Sequence, residues 1–569
     1  MSTDRPTRRT FLQRAGSVVG ASALGARLPL FGAGERASAV GQVAASGFAG
    51  IEHIVVLMLE NRSFDNVVGW LYDPSNASPF NSVPAGQSFD GLSGKVLSNP
   101  VPASLGGGTA SPGTETTLWY PDPDPGELFA DIFEQLFDTH ILDPNRTDVP
   151  GMQGFINNYA RTIAAYNAAH HPGTDPRIIM NGFRPVTLPT LSTLANSYGV
   201  CDHWFASIPT QTFCNRSFVH AGTSSGYVNN SWKTGSEPWD VGVFLNETTT
   251  VFNLLEAAGK SWRIYYPGSL AFCNSFLTQR ALTPYLTNDP GTNRFFRMSQ
   301  FFTDVQSTGP GGMPSYSFIE PNYVSSTKYG PENDGHPNPP YNPPIDGPSN
   351  LLRADQLVAD VYSAIRQSPN WDSTLLMITF DEHGGCYDHV PPGPTVSPDG
   401  KVIPIAEPGG SGFAFARLGV RVPAILVSPR IEAGKVVNTQ FDHTSVIKTV
   451  INALDVQDAG GQPATLLARE MAANDVSGAL TLPAPRTDTI TLPPTPTPSF
   501  DASVARPLTP IQSDMVAAAA ALLERFGVPL PYRWTELTTT EAATTELDER
   551  FEALRNRGQA VPVTPKFTG

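Results

Sequence analysis

The chain has 569 residues, of which 40% are hydrophobic and 16% are charged. This composition provides enough apolar side chains for a large core and too little charge for a disordered protein. The first 38 residues carry six arginines against one aspartate and one glutamate, a charge of +4, so the formal net charge of −15 leaves −19 on the remainder. An acidic body argues against nucleic acid as a partner, but an anionic substrate stays open because a bound cation can reverse the local field.

The N-terminus has the pattern of an export signal. Residues 7–13, Thr-Arg-Arg-Thr-Phe-Leu-Gln, resemble a twin-arginine motif, a weakly apolar stretch covers residues 16–26, and Ala37-Ser38-Ala39 offers small residues for cleavage. The alternative is a basic disordered tail. We expect residues 1–39 to be a signal peptide that engages the export machinery, and the protein to be periplasmic or secreted.

Apolar runs alternate with helical patterns along the body of the chain. Strands are predicted at residues 51–59, 262–266, 316–319, 374–380 and 424–427. Helices are predicted where apolar residues recur at helical spacing, from Leu191 to Tyr198, with Pro189 in the first turn and Gly199 as a stop, and from Val358 to Ile365. This alternation predicts an α/β fold with a mostly parallel central sheet and helices on both faces.

The C-terminal part changes in composition. Residues 483–499 are rich in Pro and Thr, which is typical of a stiff extended linker. Helical patterns follow near residues 511–525 and 540–557. We therefore predict a catalytic domain at 40–482, a linker at 483–499 and a C-terminal helical segment at 500–569.

The four cysteines, Cys201, Cys214, Cys273 and Cys386, include no Cys-x-x-Cys pair. A thiolate zinc site is therefore not expected. One or two disulfides and four buried free thiols both remain open, because pairing cannot be read from the sequence.

Acidic residues directly follow two of the predicted strands. Glu60-Asn61 follows the first strand and Asp381-Glu382 follows the strand at 374–380. Because the carboxyl ends of parallel strands meet at one sheet edge, these side chains are expected to lie together. Three carboxylates and an amide oxygen would suit Ca²⁺, Mg²⁺ or Mn²⁺, with Fe or Zn open if histidines join. A helix cap at Glu60 and a solvated turn at Asp381 are the structural alternative.

A second group combines a hydroxyl, an amide and a guanidinium in Thr212, Asn215 and Arg216. Phosphoryl transfer needs a nucleophile, donors for the phosphoryl oxygens and charge neutralisation, so these residue types fit that chemistry. A turn before a helix explains the same residues without chemistry.

Two histidines follow acidic turns, His336 after Asp334-Gly335 and His443 after Asp442. Either could act as a general acid, phosphate donor or metal ligand, although a lone histidine is more often structural. His203, His383 and His389 are weaker candidates.

Taken in order, these motifs resemble those of the phosphoesterase family, which holds bacterial phospholipases C, plant non-specific phospholipases C and certain bacterial acid phosphatases. Residues 53–65 are similar to the family's opening motif, and residues 379–390 to a second motif, nearest to the plant-type enzymes. Thr212-x-x-Asn215-Arg216, residues 333–337 and residues 441–445 complete the series. The resemblance covers roughly residues 51–454.

The resemblance implies an alkaline-phosphatase-like fold and a specific site. Glu60, Asn61, Asp381 and Glu382 would bind a divalent metal ion. Thr212 would be the nucleophile that takes the phosphoryl group into a covalent intermediate, Asn215 would hold a phosphoryl oxygen, and Arg216 would support the loop or contact the phosphate. His336 and His443 would line the site, one of them protonating the leaving alkoxide, and Asp334 would orient His336.

The chain departs from the family at one position. Many relatives have a histidine after Asp-Pro-Gly, whereas here Asp124-Pro125-Gly126 is followed by Glu127. The predicted function is phospholipase C-like hydrolysis of a phospholipid, with peripheral membrane contact. The alternatives are an acid phosphatase acting on small phosphate esters and, more remotely, a non-catalytic lipid- or surface-binding protein.

Overall fold

The apolar runs of the sequence assemble into an eight-stranded central sheet in the computed structural model, which describes residues 47–165, 174–234, 236–237, 241–337, 350–401, 412–496, 498–504 and 506–556. Its strands are β1 (His53–Leu59), β2 (Gly199–Cys201), β3 (Trp262–Tyr266), β4 (Phe295–Arg297), β5 (Tyr316–Ile319), β6 (Thr374–Phe380), β7 (Ala424–Val427) and β8 (Lys435–Val437). The predicted signal peptide at 1–39 lies outside the described residues.

The sheet is mostly parallel, as predicted. The spatial order is β4-β3-β5-β1-β6-β7-β2-β8. Only β7 is antiparallel to its two neighbours, and the other pairs are parallel. Every residue of β6 is buried, so both faces of the sheet are covered, and this explains why the central strands are continuous apolar runs.

Helices surround this sheet. They are α1 (Phe64–Val67), α2 (Phe129–Phe137), α3 (Phe155–Ala165), α4 (Pro189–Ser197), α5 (Thr212–Ala221), α6 (Val251–Ala257), α7 (Asn274–Thr278), α8 (Met298–Asp304), α9 (Leu351–Arg366), α10 (Thr444–Ala453), α11 (Ala468–Ala472), α12 (Pro510–Arg525) and α13 (Thr540–Asn556). Short 3₁₀ turns lie at Ala103–Leu105, Pro176–Met180, Leu270–Phe272, Arg280–Tyr285, Trp371–Ser373, Val476–Ala479 and Trp534–Glu536. In the part of the chain so described, no helix combines the length and the apolar character that a membrane crossing requires.

Two-stranded pairs outside the central sheet complete the secondary structure. They join Asn99–Pro100 with Thr109–Ala110, Thr114–Glu115 with Gly182–Phe183, Trp204–Phe205 with Phe441–Asp442, and Ser231–Lys233 with Val241–Val243.

Gly199 does not stop a helix, contrary to expectation. Helix α4 ends at Ser197, and Gly199 is the first residue of β2. An added Cβ at this position would lie 3.4 Å from the carbonyl oxygen of Leu426 in the neighbouring β7, an ordinary van der Waals contact, so close packing does not demand glycine here.

The C-terminal segment packs on the body of the protein. Helix α12 contacts α7, and α13 contacts α12. The proline-rich stretch before them contains no helix or strand in its described part, and the Thr495 hydroxyl donates to Asp355 on α9 over 3.1 Å. Gln512 of α12 donates to the Glu332 carboxylate at 2.8 Å, which ties this segment to the loop that carries Asp334. The domain boundaries themselves stay predictions.

All four cysteines are buried free thiols. Burial raises the pKa of the Cys386 thiol to about 12 and raises the pKa of the Cys214 thiol, so these groups are neutral components of the core.

Candidate functional site

The strand-end residues meet as the sequence predicts. Leu59 of β1 lies opposite Phe380 of β6 in the parallel register, so Glu60 and Asp381 leave the sheet side by side. We call Glu60, Asn61, Asp381 and Glu382 the strand-end site. All four side chains are at most 1% exposed.

Asn61 connects the strand-end site internally. Its backbone N–H donates to Asp381 Oδ1 at 3.0 Å, and its side-chain Nδ2 donates to Glu382 Oε1 at 2.6 Å. The residue adopts a left-handed conformation with φ of 59°. Gly384 packs so closely against it that an added Cβ would lie 2.0 Å from the Asn61 carbonyl oxygen. This glycine is therefore required by a close backbone approach.

The strand-end carboxylates repel one another in a buried environment. Burial raises the pKa of Glu60 well above its ordinary value, and Asp381 adds to the shift although Arg216 opposes it. Burial followed by the charge of Asp381 likewise raises the pKa of Glu382. Oxygen ligands held in this way fit a hard divalent cation, whose charge would stabilise the ionised carboxylates.

Thr212 is the first residue of α5 and contacts the strand-end site. Its hydroxyl donates to Asn61 Oδ1 over 3.3 Å, and it is fully buried. The N-terminus of a helix also favours a negatively charged group such as a phosphoryl ester.

Asn215 has other contacts than the resemblance implies. Its Nδ2 donates to the carbonyl oxygens of Thr210 at 2.7 Å and Ile208 at 3.2 Å, and its Oδ1 accepts from the Ile208 amide at 3.1 Å. The side chain therefore stabilises the turn before α5, and binding a phosphoryl oxygen would require these bonds to break.

Arg216 hydrogen-bonds residues at the ends of three strands of the sheet. Its Nε donates to Asp381 Oδ2 at 2.9 Å, Nη1 to Glu320 Oε2 at 3.3 Å and Nη2 to the carbonyl of Leu59 at 3.0 Å. The side chain is fully buried. Burial alone lowers the pKa of this guanidinium, but Tyr323 and the neighbouring carboxylates outweigh that effect and raise it. Of the two expected roles, these contacts fit loop support.

Each predicted histidine is held by specific bonds. His443 Nε2 lies 2.5 Å from the carbonyl oxygen of Asp381, and Trp204 Nε1 donates to His443 Nδ1 at 3.4 Å. Since a carbonyl only accepts, Nε2 carries the proton in this arrangement. His443 therefore braces the backbone of the strand-end site, and burial lowers its pKa.

The ring Nδ1 of His336 contacts the carbonyl of Pro337. Burial lowers its pKa to about 4. Asp334 Oδ1 accepts from the backbone amide of His336 at 3.0 Å, and this bond holds the turn that carries the ring. Burial raises the pKa of Asp334 to about 8.

Glu127, the departure from the family pattern, lies in the site. Its Oε1 accepts from Asn61 Nδ2 at 2.6 Å and lies 3.7 Å from His336 Nε2. Together with Asp124, these residues bring ligand atoms within 4.8 Å of one another. A second group of this kind, formed by Asp65, Asp388 and His389, is also present. Both groups are compatible with a divalent cation.

Glu320 and Asn274 were missed by the sequence analysis. Glu320 directly follows β5, the same position that Glu60 and Asp381 have after their strands, and that pattern could have identified it. Asn274 Nδ2 donates to Glu60 Oε1 at 3.2 Å, but no sequence signal singles it out.

Comparison with known proteins identifies the family. The Phosphoesterase family matches residues 51–457. The chain belongs to this family. Non-specific phospholipase C3 of Arabidopsis thaliana is 32% identical over 495 residues, covering 83% of this chain and 82% of the relative. Non-hemolytic phospholipase C of Pseudomonas aeruginosa is 26% identical over 489 residues, covering 80% and 61%. The protein is thus a hydrolase of phosphoric esters, of phospholipase C type.

Similar solved structures include the phosphonate monoester hydrolase of Silicibacter pomeroyi, with a TM-score of 0.26 and 13% identity over 52% of this chain and 72% of the other. An alkaline phosphatase superfamily protein of Vibrio parahaemolyticus has a TM-score of 0.27 and 12% identity over 51% and 63%. Scores this low carry no argument, and the fold class rests on the sheet described above.

Proposed function

We propose that this phosphoesterase hydrolyses phospholipids between glycerol and phosphate, with a divalent metal ion at the strand-end site and Thr212 as the nucleophile. The observation that carries the proposal is the contact between the Thr212 hydroxyl and Asn61 Oδ1. It brings a hydroxyl nucleophile, the N-terminus of α5 and buried carboxylates into one place. The plant and bacterial relatives, which are phospholipases C by name, support the substrate class.

The donor set fits the metal. Glu60, Asn61, Asp381 and Glu382 would hold a divalent ion, which would lower the pKa of a neighbouring hydroxyl and neutralise phosphoryl charge. Asn61 Oδ1 already accepts from Thr212, so the hydroxyl lies beside an atom that would bind the ion.

The proposed reaction has two displacements. The Thr212 hydroxyl would pass its proton to water as Oγ1 forms a bond to phosphorus. The bond from phosphorus to the glycerol oxygen breaks at the same time, and that oxygen takes a proton from water as diacylglycerol leaves. Water then attacks the phosphothreonine, which restores the hydroxyl and releases the phosphorylated head group. Arg216 would act through Asp381 and the turn before α5.

The leaving alkoxide needs a proton, and His443 is poorly placed to supply it. Both nitrogens of His443 are engaged, by Trp204 and by the Asp381 carbonyl. His336 lies beside Glu127, at the slightly exposed side of the site.

We also propose export through the twin-arginine pathway and action at a membrane surface from the periplasm or outside the cell. The support is the leader sequence at residues 1–39 and the phospholipid substrates named for the relatives. Cell fractionation with and without the Arg8→Lys/Arg9→Lys change tests the export route, since loss of the exported form is expected.

The decisive test of the activity compares substrates and matched variants. Metal-reconstituted protein is expected to cleave phosphatidylcholine and to turn over p-nitrophenyl phosphate poorly, and Thr212→Ala is expected to lower turnover at least about 1,000-fold, whereas Thr212→Ser retains part of it. Bound metal should be unchanged in both variants. Full turnover in Thr212→Ala would refute the nucleophile. Preference for p-nitrophenyl phosphate would instead make the protein an acid phosphatase, and inactivity on both substrates with metal bound would favour the non-catalytic alternative.

A further inference from the structure

Two loops bring Asp124, Glu127 and His336 together beside the strand-end site. We call these three residues the loop cluster. His336 Nδ1 lies 3.8 Å from Asp124 Oδ1, and His336 Nε2 lies 3.7 Å from Glu127 Oε1. At least nine-tenths of each side chain is buried. Two carboxylates and an imidazole thus lie close enough together for one ion to contact all three.

The histidine presents a lone pair to this space. The Pro337 carbonyl that contacts Nδ1 can only accept, so Nδ1 carries the ring proton. In the neutral ring Nε2 is then an acceptor, and it points at the carboxylate oxygen of Glu127, a second acceptor. A carbonyl bond at one imidazole nitrogen is the arrangement that orients a metal-binding histidine. A positive centre between Nε2 and the Glu127 carboxylate would stabilise both groups.

Asp124 adds an independent sign of a missing ligand. Its Oδ1 is buried and has no hydrogen-bond partner in the part of the chain that the structure describes. Burial raises the pKa of Asp124 well above its ordinary value, Glu382 adds to the shift and Arg62 opposes it, yet no salt bridge joins the described residues Asp124 and Arg62. A buried carboxylate oxygen without a partner is costly, and a bound cation would supply the partner.

The loop that carries the two acids is held in place from outside. The Tyr159 hydroxyl donates to the carbonyl of Pro123 at 2.8 Å, and Gln135 Nε2 donates to the carbonyl of Gly126 at 2.7 Å. Each bonded carbonyl belongs to the residue directly before one of the two acids, Asp124 and Glu127. The carboxylates are therefore presented by a fixed backbone, as a metal site requires.

The other acid–histidine group in the structure provides a contrast. There the Arg421 guanidinium donates to Asp388 at 2.9 Å and to Asp65 at 3.1 Å, and His389 Nδ1 lies 2.6 Å from Asp65. Protein cations already compensate that group. The loop cluster has a buried carboxylate oxygen, Asp124 Oδ1, that accepts no hydrogen bond from the described residues.

We propose that Asp124, Glu127 and His336 bind a second divalent cation beside the strand-end site. Two carboxylates with one imidazole nitrogen favour a borderline first-row ion such as Zn²⁺ or Mn²⁺ over Ca²⁺. Asn61 Nδ2 donates to both Glu127 and Glu382, so the two sites share one amide. The inference does not depend on the proposed reaction. It excludes His336 as the acid for the leaving group, because Nε2 cannot bind the ion and carry a proton together.

The test is a count of bound ions. The full chain is stripped with chelator, loaded with excess Zn²⁺, passed through a desalting column, and analysed by inductively coupled plasma mass spectrometry. Wild type is expected to retain two Zn²⁺ per chain, Asp124→Asn one, and Glu60→Gln one. Asp122→Asn is the matched control, a buried carboxylate on the same loop, and should retain two. Glu127→Gln repeats the measurement if Asp124→Asn does not fold, with circular dichroism as the check of folding.

One Zn²⁺ per chain in wild type, or equal counts in wild type and both loop-cluster variants, would overturn the proposal and leave a proton shared by Glu127 and His336. Because the readout is stoichiometry, it is separate from turnover. One ion with phospholipid hydrolysis contradicts only the second site, whereas two ions without hydrolysis contradict only the proposed function.

Discussion

Replacing Arg216 by methionine is expected to destabilise the protein strongly, because this one guanidinium hydrogen-bonds two buried carboxylates and lies 3.5 Å from a third, that of Glu60. It donates to Asp381 at 2.9 Å and Glu320 at 3.3 Å from a fully buried position. Removing one partner of a buried ion pair costs about 3–5 kcal/mol. The carbonyl of Leu59 loses one bond but keeps the amide of Asp381 as a donor, so the charge effect dominates.

A loss of this size is a large share of the roughly 5–15 kcal/mol that stabilises a typical domain. We expect a clear fall in the urea midpoint of the metal-stripped protein, followed by tryptophan fluorescence. Arg177→Met is the matched control, because Arg177 is 57% exposed and pairs with the exposed Asp175, and its midpoint should not move. If Arg216→Met unfolds within about 1 kcal/mol of wild type, Arg216 does not compensate the two carboxylates, and the account of the site's support is wrong.

Two further changes test the site and its surroundings. Gly384→Ala should weaken metal binding and hydrolysis at least tenfold with the fold retained, because its Cβ would lie 2.0 Å from the Asn61 carbonyl, whereas Gly478→Ala, with open space around it, should match wild type. The pKa of His389 is raised to about 9, since Asp65 outweighs the opposing effect of burial. The stabilisation, about 3 kcal/mol, is therefore complete below about pH 6.5 and lost as the pH rises through 9. Melting temperatures from pH 6 to 10 should fall more in wild type than in His389→Gln, and parallel curves would contradict this assignment.

The central sheet was predictable because its strands are buried on both faces. Four of the five predicted strands have the expected bounds, and the first begins two residues later, at His53. Parallel pairing then makes the strand-end site follow from sequence, since a polar residue directly after a buried strand lies at the carboxyl edge.

The loop contributions could not be derived in the same way. Asp124 and Glu127 reach the site through an irregular segment whose course depends on Tyr159 and Gln135, and no periodicity reports such contacts. Asn215 illustrates the converse limit. The sequence placed Asn215 in the motif, yet its side-chain amide donates to a carbonyl of its own turn. Whether such an amide binds a phosphoryl oxygen or the backbone depends on packing, which the sequence does not report.

Glu320 directly follows a strand, as Glu60 and Asp381 do, and it tests whether that position is enough to predict a metal ligand. In the register of β1 and β5, Ile319 lies opposite Leu57, so Glu320 leaves the sheet two residues below Glu60. There it accepts from Arg216 and from the amide of Ser275 at 2.8 Å.

Glu320→Gln should therefore lower stability by about 1–3 kcal/mol through weakened charged hydrogen bonds and leave the number of bound metal ions unchanged. Glu382→Gln should do the opposite. It should weaken metal binding without destabilising the metal-free protein, because burial already raises the pKa of Glu382 and disfavours its charge. Urea unfolding and metal counts on both variants separate the two roles. Equal loss of metal in both variants would mean that Glu320 binds the metal ion as Glu382 does. The assignment of Glu320 to the Arg216 ion pair alone would then be wrong.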